Sequence, residues 1–149
     1  MALTLLDTNV LVHAAAAQSP LHGAAARLVD RGLKTDGIFC LAPQNLVEFA
    51  AVMTRPRNVS PPLTPSDVGR MVDVLYRSRR LKKIYPSRGT VLRAVRYGER
   101  SRVSGPVWYD LFLAFTMADA GVDTIVTEDV RHFRQFSFLK VLSIEEWFG

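Results

Sequence analysis

Short apolar runs, none longer than five residues, punctuate this chain at 3–6 (LTLL), 38–42 (IFCLA) and 124–127 (TIVT). Runs of that length are too short for buried helices and read as strands covered on both faces. The stretches between them have helical spacing. Residues 21–33 put Leu21, Ala24, Ala25, Leu28 and Val29 on one face. Pro43 suits the first position of a helix reaching about residue 54. Thr64-Pro65 followed by Asp67 opens another, with Val68, Met71, Val72 and Leu75 inward and Arg70, Arg77 and Arg80 outward. Residues 9–17, 90–98 and the apolar segment from Asp110 to Gly121 complete the helices, while 83–85 and 139–142 are further short strands. Alternating strands and helices define an α/β chain with a mostly parallel central sheet of four or five short strands. Such sheets bind ligands beyond the carboxyl ends of their strands.

Composition narrows the class. A chain of 149 residues, 48% hydrophobic and 22% charged, reads as one domain, residues 1–149, with a substantial core. No apolar run approaches the roughly 20 residues of a membrane span, and Asp7 interrupts the first apolar stretch, which lacks a basic leader. The single cysteine, Cys40, forms no internal disulfide and reads as a small buried hydrophobe, so a cytoplasmic protein is expected. Net charge is +5, but between Arg70 and Arg102 eleven Arg or Lys stand against Asp73 and Glu99 alone. A basic block in an otherwise mildly acidic chain fits a phosphate-rich partner or a solvated helix face.

Four acids occupy uncommon places. Asp7 lies at the carboxyl end of the first strand and Asp129 just beyond the strand at 124–127, so both emerge from one sheet edge. Asp110 opens an otherwise apolar helix. Glu48 sits inside NLVEFAAVM, where a lone charge is costly to desolvate. Each has an ordinary reading as well: Asp7 and Asp110 are good helix caps, Asp129 suits a turn, and Glu48 can pair with an arginine. Gathered in one pocket, four carboxylates repel one another unless protons or a divalent cation intervene. Magnesium and manganese take such oxygen ligands and leave positions for water and phosphate. An acidic pocket beside a basic surface therefore suits metal-dependent hydrolysis of a nucleic acid.

Other chemistry finds less support. His13, His22 and His132 are too scattered for a zinc motif, and neither G-x-x-x-x-G-K-[ST] nor G-x-G-x-x-G occurs. Trp108 and Tyr109 can stack on a base or pack in the core.

The segments LLDTNVLVHA, NLVEFAAVMTRP and WYDLFLAFTMADAGVDTIVTEDVRHF together resemble the PIN-domain nucleases, most closely the VapC-type toxins of VapBC toxin–antitoxin pairs. The resemblance covers almost the whole chain. It implies a three-layer α/β/α sandwich and an acidic site for Mg²⁺ or Mn²⁺ held by Asp7, Glu48, Asp110 and Asp129. It further implies that Asn9 orients the first carboxylate or a bound water, and that Thr127 is the small hydroxyl residue preceding the last Asp. Thr8 contacts substrate or steadies its turn, and Glu128 is an extra candidate. The implied activity is an endoribonuclease acting as the toxin of a type II pair, with RNA as substrate, a VapB-like antitoxin as partner and a homodimer as the assembly. Alternatives are a housekeeping PIN nuclease in RNA processing, or a PIN-like module that binds RNA or protein without cutting. A haloacid-dehalogenase-like phosphatase also begins with a strand ending in Asp, but it needs a second Asp where this chain has Asn9.

Overall fold

A computed structural model describes residues 2–149. In chain order the elements are β1 (Thr4–Leu6), α1 (Thr8–Ala15), α2 (His22–Lys34), β2 (Phe39–Leu41), α3 (Pro43–Met53), α4 (Pro65–Arg77), β3 (Lys82–Lys83), α5 (Thr90–Arg100), α6 (Val107–Asp119), β4 (Thr124–Val126), α7 (Val130–Phe133), β5 (Lys140–Leu142) and α8 (Ile144–Phe148). The strands form one sheet in the order β3-β2-β1-β4-β5, every pairing parallel.

Alternation along each strand explains the layers, because successive side chains leave opposite faces. Leu6, Val126, Phe39 and Leu41 point into a core built with α1, α2, α3, α4 and α8. Leu5, Ile125 and Cys40 point into a second core with α5, α6 and α7. Both faces are covered, as a parallel sheet requires, giving three α/β/α layers. Each fully buried Leu or Phe contributes about 1.5–3 kcal/mol, and Phe39, Phe49, Phe133 and Phe136 are all essentially inaccessible.

Local chemistry fixes the helix ends. Thr64 Oγ1 accepts the Asp67 N–H at 3.1 Å while Asp67 reaches back to the Thr64 N–H, a capping box with Pro65 at the first helical position. Gly121, at φ +72°, ends α6, and the Val122 N–H returns to the Met117 carbonyl at 2.9 Å. Gly98 lets α5 approach α6, since a Cβ there would lie 2.4 Å from the Trp108 ring. Trp108 packs against the core beside α5, so packing accounts for it, whereas Tyr109 is exposed.

Three expectations need correction. α6 begins at Val107, so Asp110 is its fourth residue rather than its opening one. The strand expected at 83–85 is Lys82–Lys83, although the Ile84 N–H still bonds the Leu41 carbonyl at 2.9 Å. Met71 lies at the surface instead of the core, on the rim of a shallow apolar hollow with Leu11, Val29 and Val74.

The topology also marks where a ligand belongs. From β1 the chain winds outward through β2 to β3, then crosses back to β4 and β5 on the other side. The switch point therefore lies between β1 and β4, and the crevice beyond their carboxyl ends is the favoured binding place in such sheets.

Candidate active site

Asp7 follows β1 directly and is the N-cap of α1; its Oδ1 accepts the Thr8 N–H at 2.8 Å. The helix-cap reading is thus correct, but it accounts for only one of the two carboxylate oxygens. Oδ2 accepts the Thr127 hydroxyl at 2.7 Å and the Asn9 side-chain amide at 3.3 Å, while the Asn45 amide reaches Oδ1 at 3.5 Å. Asp7 is only 6% exposed. Burial pushes its carboxyl up to about 7, against the lowering effect of the Thr127 and Thr8 hydrogen bonds. The charges of Asp110 and Glu48 push it the same way as burial.

Thr127 links the two strand ends. Its hydroxyl donates to Asp7 and accepts from Asn9 Nδ2 at 3.1 Å and from the Asp129 N–H at 3.0 Å. Asn9 Oδ1 in turn accepts the Glu128 N–H at 3.0 Å. The D-T-N and T-E-D segments, 120 residues apart in sequence, are therefore laced together across the switch point. Asp129 stands exposed at the far side of this lacing.

Glu48, half-buried on α3, accepts the Thr8 hydroxyl at 3.4 Å. Burial raises its carboxyl, opposed by hydrogen bonds from Gln44 and Thr8. Asp110 sits in the first turn of α6, with His132 Nδ1 3.5 Å from its Oδ2. Burial lifts its carboxyl to about 6; His132 pulls it down, and Asp129 and Glu48 push it up.

Asp7, Glu48, Asp110 and Asp129 line a single pocket of about 270 Å³ together with Thr8 and Asn9. Among the described residues, no three acids, histidines or cysteines stand close enough to clasp an ion unaided. An all-oxygen set of mutually repelling carboxylates at this looser spacing fits magnesium or manganese, which take one or two carboxylates and fill the other positions with water and phosphate oxygens. Glu128 is not part of the set. Its Oε2 accepts the Ile144 N–H at 2.8 Å and so holds α8.

Two supporting residues were not anticipated. Asn45 is completely buried: its Oδ1 accepts the Ala42 N–H at 2.9 Å, and its Nδ2 faces Thr8 Oγ1 at 3.2 Å as well as Asp7. The signal is an amide, next to Gln44, in the first turn of an apolar helix three residues before Glu48. His132 lies three residues after Asp129, and only the fold brings it to Asp110.

A model of the PIN domain family matches residues 4–139. The chain belongs to the PIN-domain family. Among individual proteins it is similar to Ribonuclease VapC48 of Mycobacterium tuberculosis, 27% identical over 135 residues that cover 91% of this chain and 92% of the relative. Ribonuclease VapC24 of the same organism is 28% identical over 138 residues, with the same coverage. Of solved structures, DNA-bound VapBC from Salmonella typhimurium superposes with a TM-score of 0.66 at 16% identity, covering 97% of this chain and 99% of that one. VapC20 of M. tuberculosis, described as a Sarcin-Ricin loop cleaving toxin, gives 0.62 at 14% identity, covering 82% and 86%. At those identities the structural likeness speaks for the fold. No helix among the described residues is long and apolar enough to cross a membrane.

Proposed function

We propose that this chain, acting as one PIN domain, is a divalent-metal-dependent endoribonuclease and the toxin of a VapBC-type toxin–antitoxin pair. The observation that carries the reading is the convergence of Asp7, Glu48, Asp110 and Asp129 on one pocket at the switch point, with Asp7 buried among fixed hydrogen-bond donors. A fold needs no such repelling cluster for stability, whereas metal-assisted phosphodiester hydrolysis uses one. The ribonuclease names of the curated relatives and the toxin–antitoxin complexes among the structural neighbours support the same choice.

The four carboxylates would hold Mg²⁺ or Mn²⁺, directly or through water, and the ion would supply activation of water and stabilise charge building on the phosphate. The chain's own groups do the positioning. Thr127, Asn9 and the Thr8 N–H fix both oxygens of Asp7, and the Thr8 hydroxyl steadies Glu48. His132 beside Asp110 favours its ionised form. Water attacks phosphorus and the P–O bond to the leaving nucleotide breaks. An intracellular RNA substrate supports a cytoplasmic location.

For partners, we assign an antitoxin segment and a second copy of the chain. The apolar hollow between Leu11, Val29, Phe49 and Val74 supports the first.

The test is cleavage of total RNA by purified protein. The reading expects cleavage with Mg²⁺ or Mn²⁺, none with EDTA, and none from Asp110→Asn that retains the wild-type fold. Undiminished cleavage by that variant, or by the wild type in EDTA, contradicts it. Growth arrest on expression separates a toxin from a housekeeping nuclease.

A further inference from the structure

The exposed edge of the sheet carries a feature the carboxylate pocket does not use. Beside β3 lies a groove of about 510 Å³ whose walls include Tyr76, Arg77, Arg79, Lys82, Lys83 and Tyr85, with no acid among them. Its cations are held differently. Arg77 pairs with Asp73 and Lys82 with Asp36, and in both pairs each side chain is largely exposed. Lys83 donates to the carbonyls of Ser78, at 2.9 Å, and Leu81. Among the described residues neither Lys83 nor Arg79 pairs with a carboxylate. Lys83 is thus a cation fixed in place without an anion.

Two aromatic residues line the same groove. Tyr76 and Tyr85 are 48% and 51% exposed, and their hydroxyls meet at 2.6 Å, which locks each ring while leaving much of it open to solvent. The chain then runs from Tyr85 to Pro86, which lines the next hollow together with Tyr109 and Glu48. Glu48 also lines the carboxylate pocket. The groove and that hollow are thus neighbours through the Tyr85-Pro86 step, and the hollow meets the carboxylate pocket at Glu48. β3 lies two strands from β1 in the sheet, a separation of about 10 Å.

We propose that this groove is a substrate track that grips single-stranded RNA a few nucleotides from the scissile bond, with a base stacked on Tyr85 or Tyr76 and two backbone phosphates, one on Lys83 and one on Arg79. Aromatic platforms interleaved with unpaired cations are how proteins hold single strands without reading their sequence. An acidic peptide would satisfy the cations but leave the rings without a role. The proposal rests on the ribonuclease reading for its purpose but not for its test.

That test measures binding of a labelled single-stranded RNA to the full chain in EDTA, where no cleavage intervenes, as salt is varied. Arg79→Gln combined with Lys83→Gln should weaken binding about tenfold and flatten the logarithmic salt dependence by about 1.4, two phosphate contacts for a single strand. Arg79→Gln alone, at an exposed residue, should give about half that change in slope and guards against a folding defect in the double variant. Tyr85→Ala should also weaken binding about tenfold, with Tyr85→Phe retaining it. Unchanged affinity and slope in the charge variants overturn the track. So does polyglutamate displacing the RNA while Tyr85→Ala binds normally, since that marks a site for acidic peptide. If no preparation cleaves RNA yet these binding losses appear, the nuclease reading fails and the track stands.

Discussion

Removing the Asp7 charge should make the metal-free protein more stable while destroying its activity. Asp7 is buried, and holding its carboxyl at about 7 instead of 3.8 costs the ionised form about 4 kcal/mol once the pH lies above both values. Asp7→Asn removes that cost. It also puts an amide NH₂ where Oδ2 now accepts from Thr127 and Asn9, setting donor against donor. Losing those contacts costs about 1–2 kcal/mol. The net gain is about 2 kcal/mol at pH 8, or about 4–8 °C in Tm for a chain of this size. The sign follows from linkage: a carboxyl raised in the folded state stabilises the fold below its ordinary range, and that stability is lost as pH rises through about 7. The advantage of Asp7→Asn should therefore grow between pH 5 and pH 8 and shrink again when Mg²⁺ is added to both proteins. Urea unfolding in EDTA across that pH range measures it. A variant no more stable than wild type at pH 8, with a difference that does not depend on pH, refutes the claim that Asp7 is held ionised at a cost.

Other substitutions probe the supporting shell and the packing. Asn45→Ala leaves the Ala42 N–H and Thr8 without their buried partner; it should cost about 2–3 kcal/mol in urea unfolding and weaken Mn²⁺ binding measured by calorimetry. His132→Ala removes the group that pulls the Asp110 carboxyl down, so the rising limb of the cleavage–pH profile should move to higher pH with little change in Tm. Gly98→Ala drives a methyl into Trp108; about 1–3 kcal/mol of destabilisation is expected, with a change in tryptophan fluorescence.

The sequence disclosed β1, β2 and β4 because those strands are buried on both faces, and short uninterrupted apolar runs have few other uses in a folded domain. The two carboxylates at strand ends, Asp7 and Asp129, and the two on apolar helices, Glu48 and Asp110, were legible for the same reason: each violates the surrounding pattern. What stayed hidden depends on contacts between distant segments. Glu128 looks like another acid of the cluster until α8 supplies the Ile144 N–H that it accepts. The helix of Asp110 starts a turn earlier than the carboxylate suggests, because Val107 and Trp108 already carry the apolar period after Pro106. Asn45 gives only a weak signal, since an amide in a first turn is ordinary until Asp7 and Thr8 are seen beside it. Met71 follows helical spacing correctly but lies at the rim of a hollow that the chain itself leaves open.

On the proposed reading Asp7, Glu48, Asp110 and Asp129 share a divalent cation. Titration of Mn²⁺ into the metal-free chain, followed by the loss of the free-ion paramagnetic resonance signal, tests this without any RNA or activity. Saturable binding by the wild type is expected, severely weakened in Asp7→Asn and Asp110→Asn and weakened in Glu48→Gln and Asp129→Asn. Mn²⁺ binding that is absent in the wild type, or undiminished when all four carboxylates are replaced by amides in a folded protein, would contradict it.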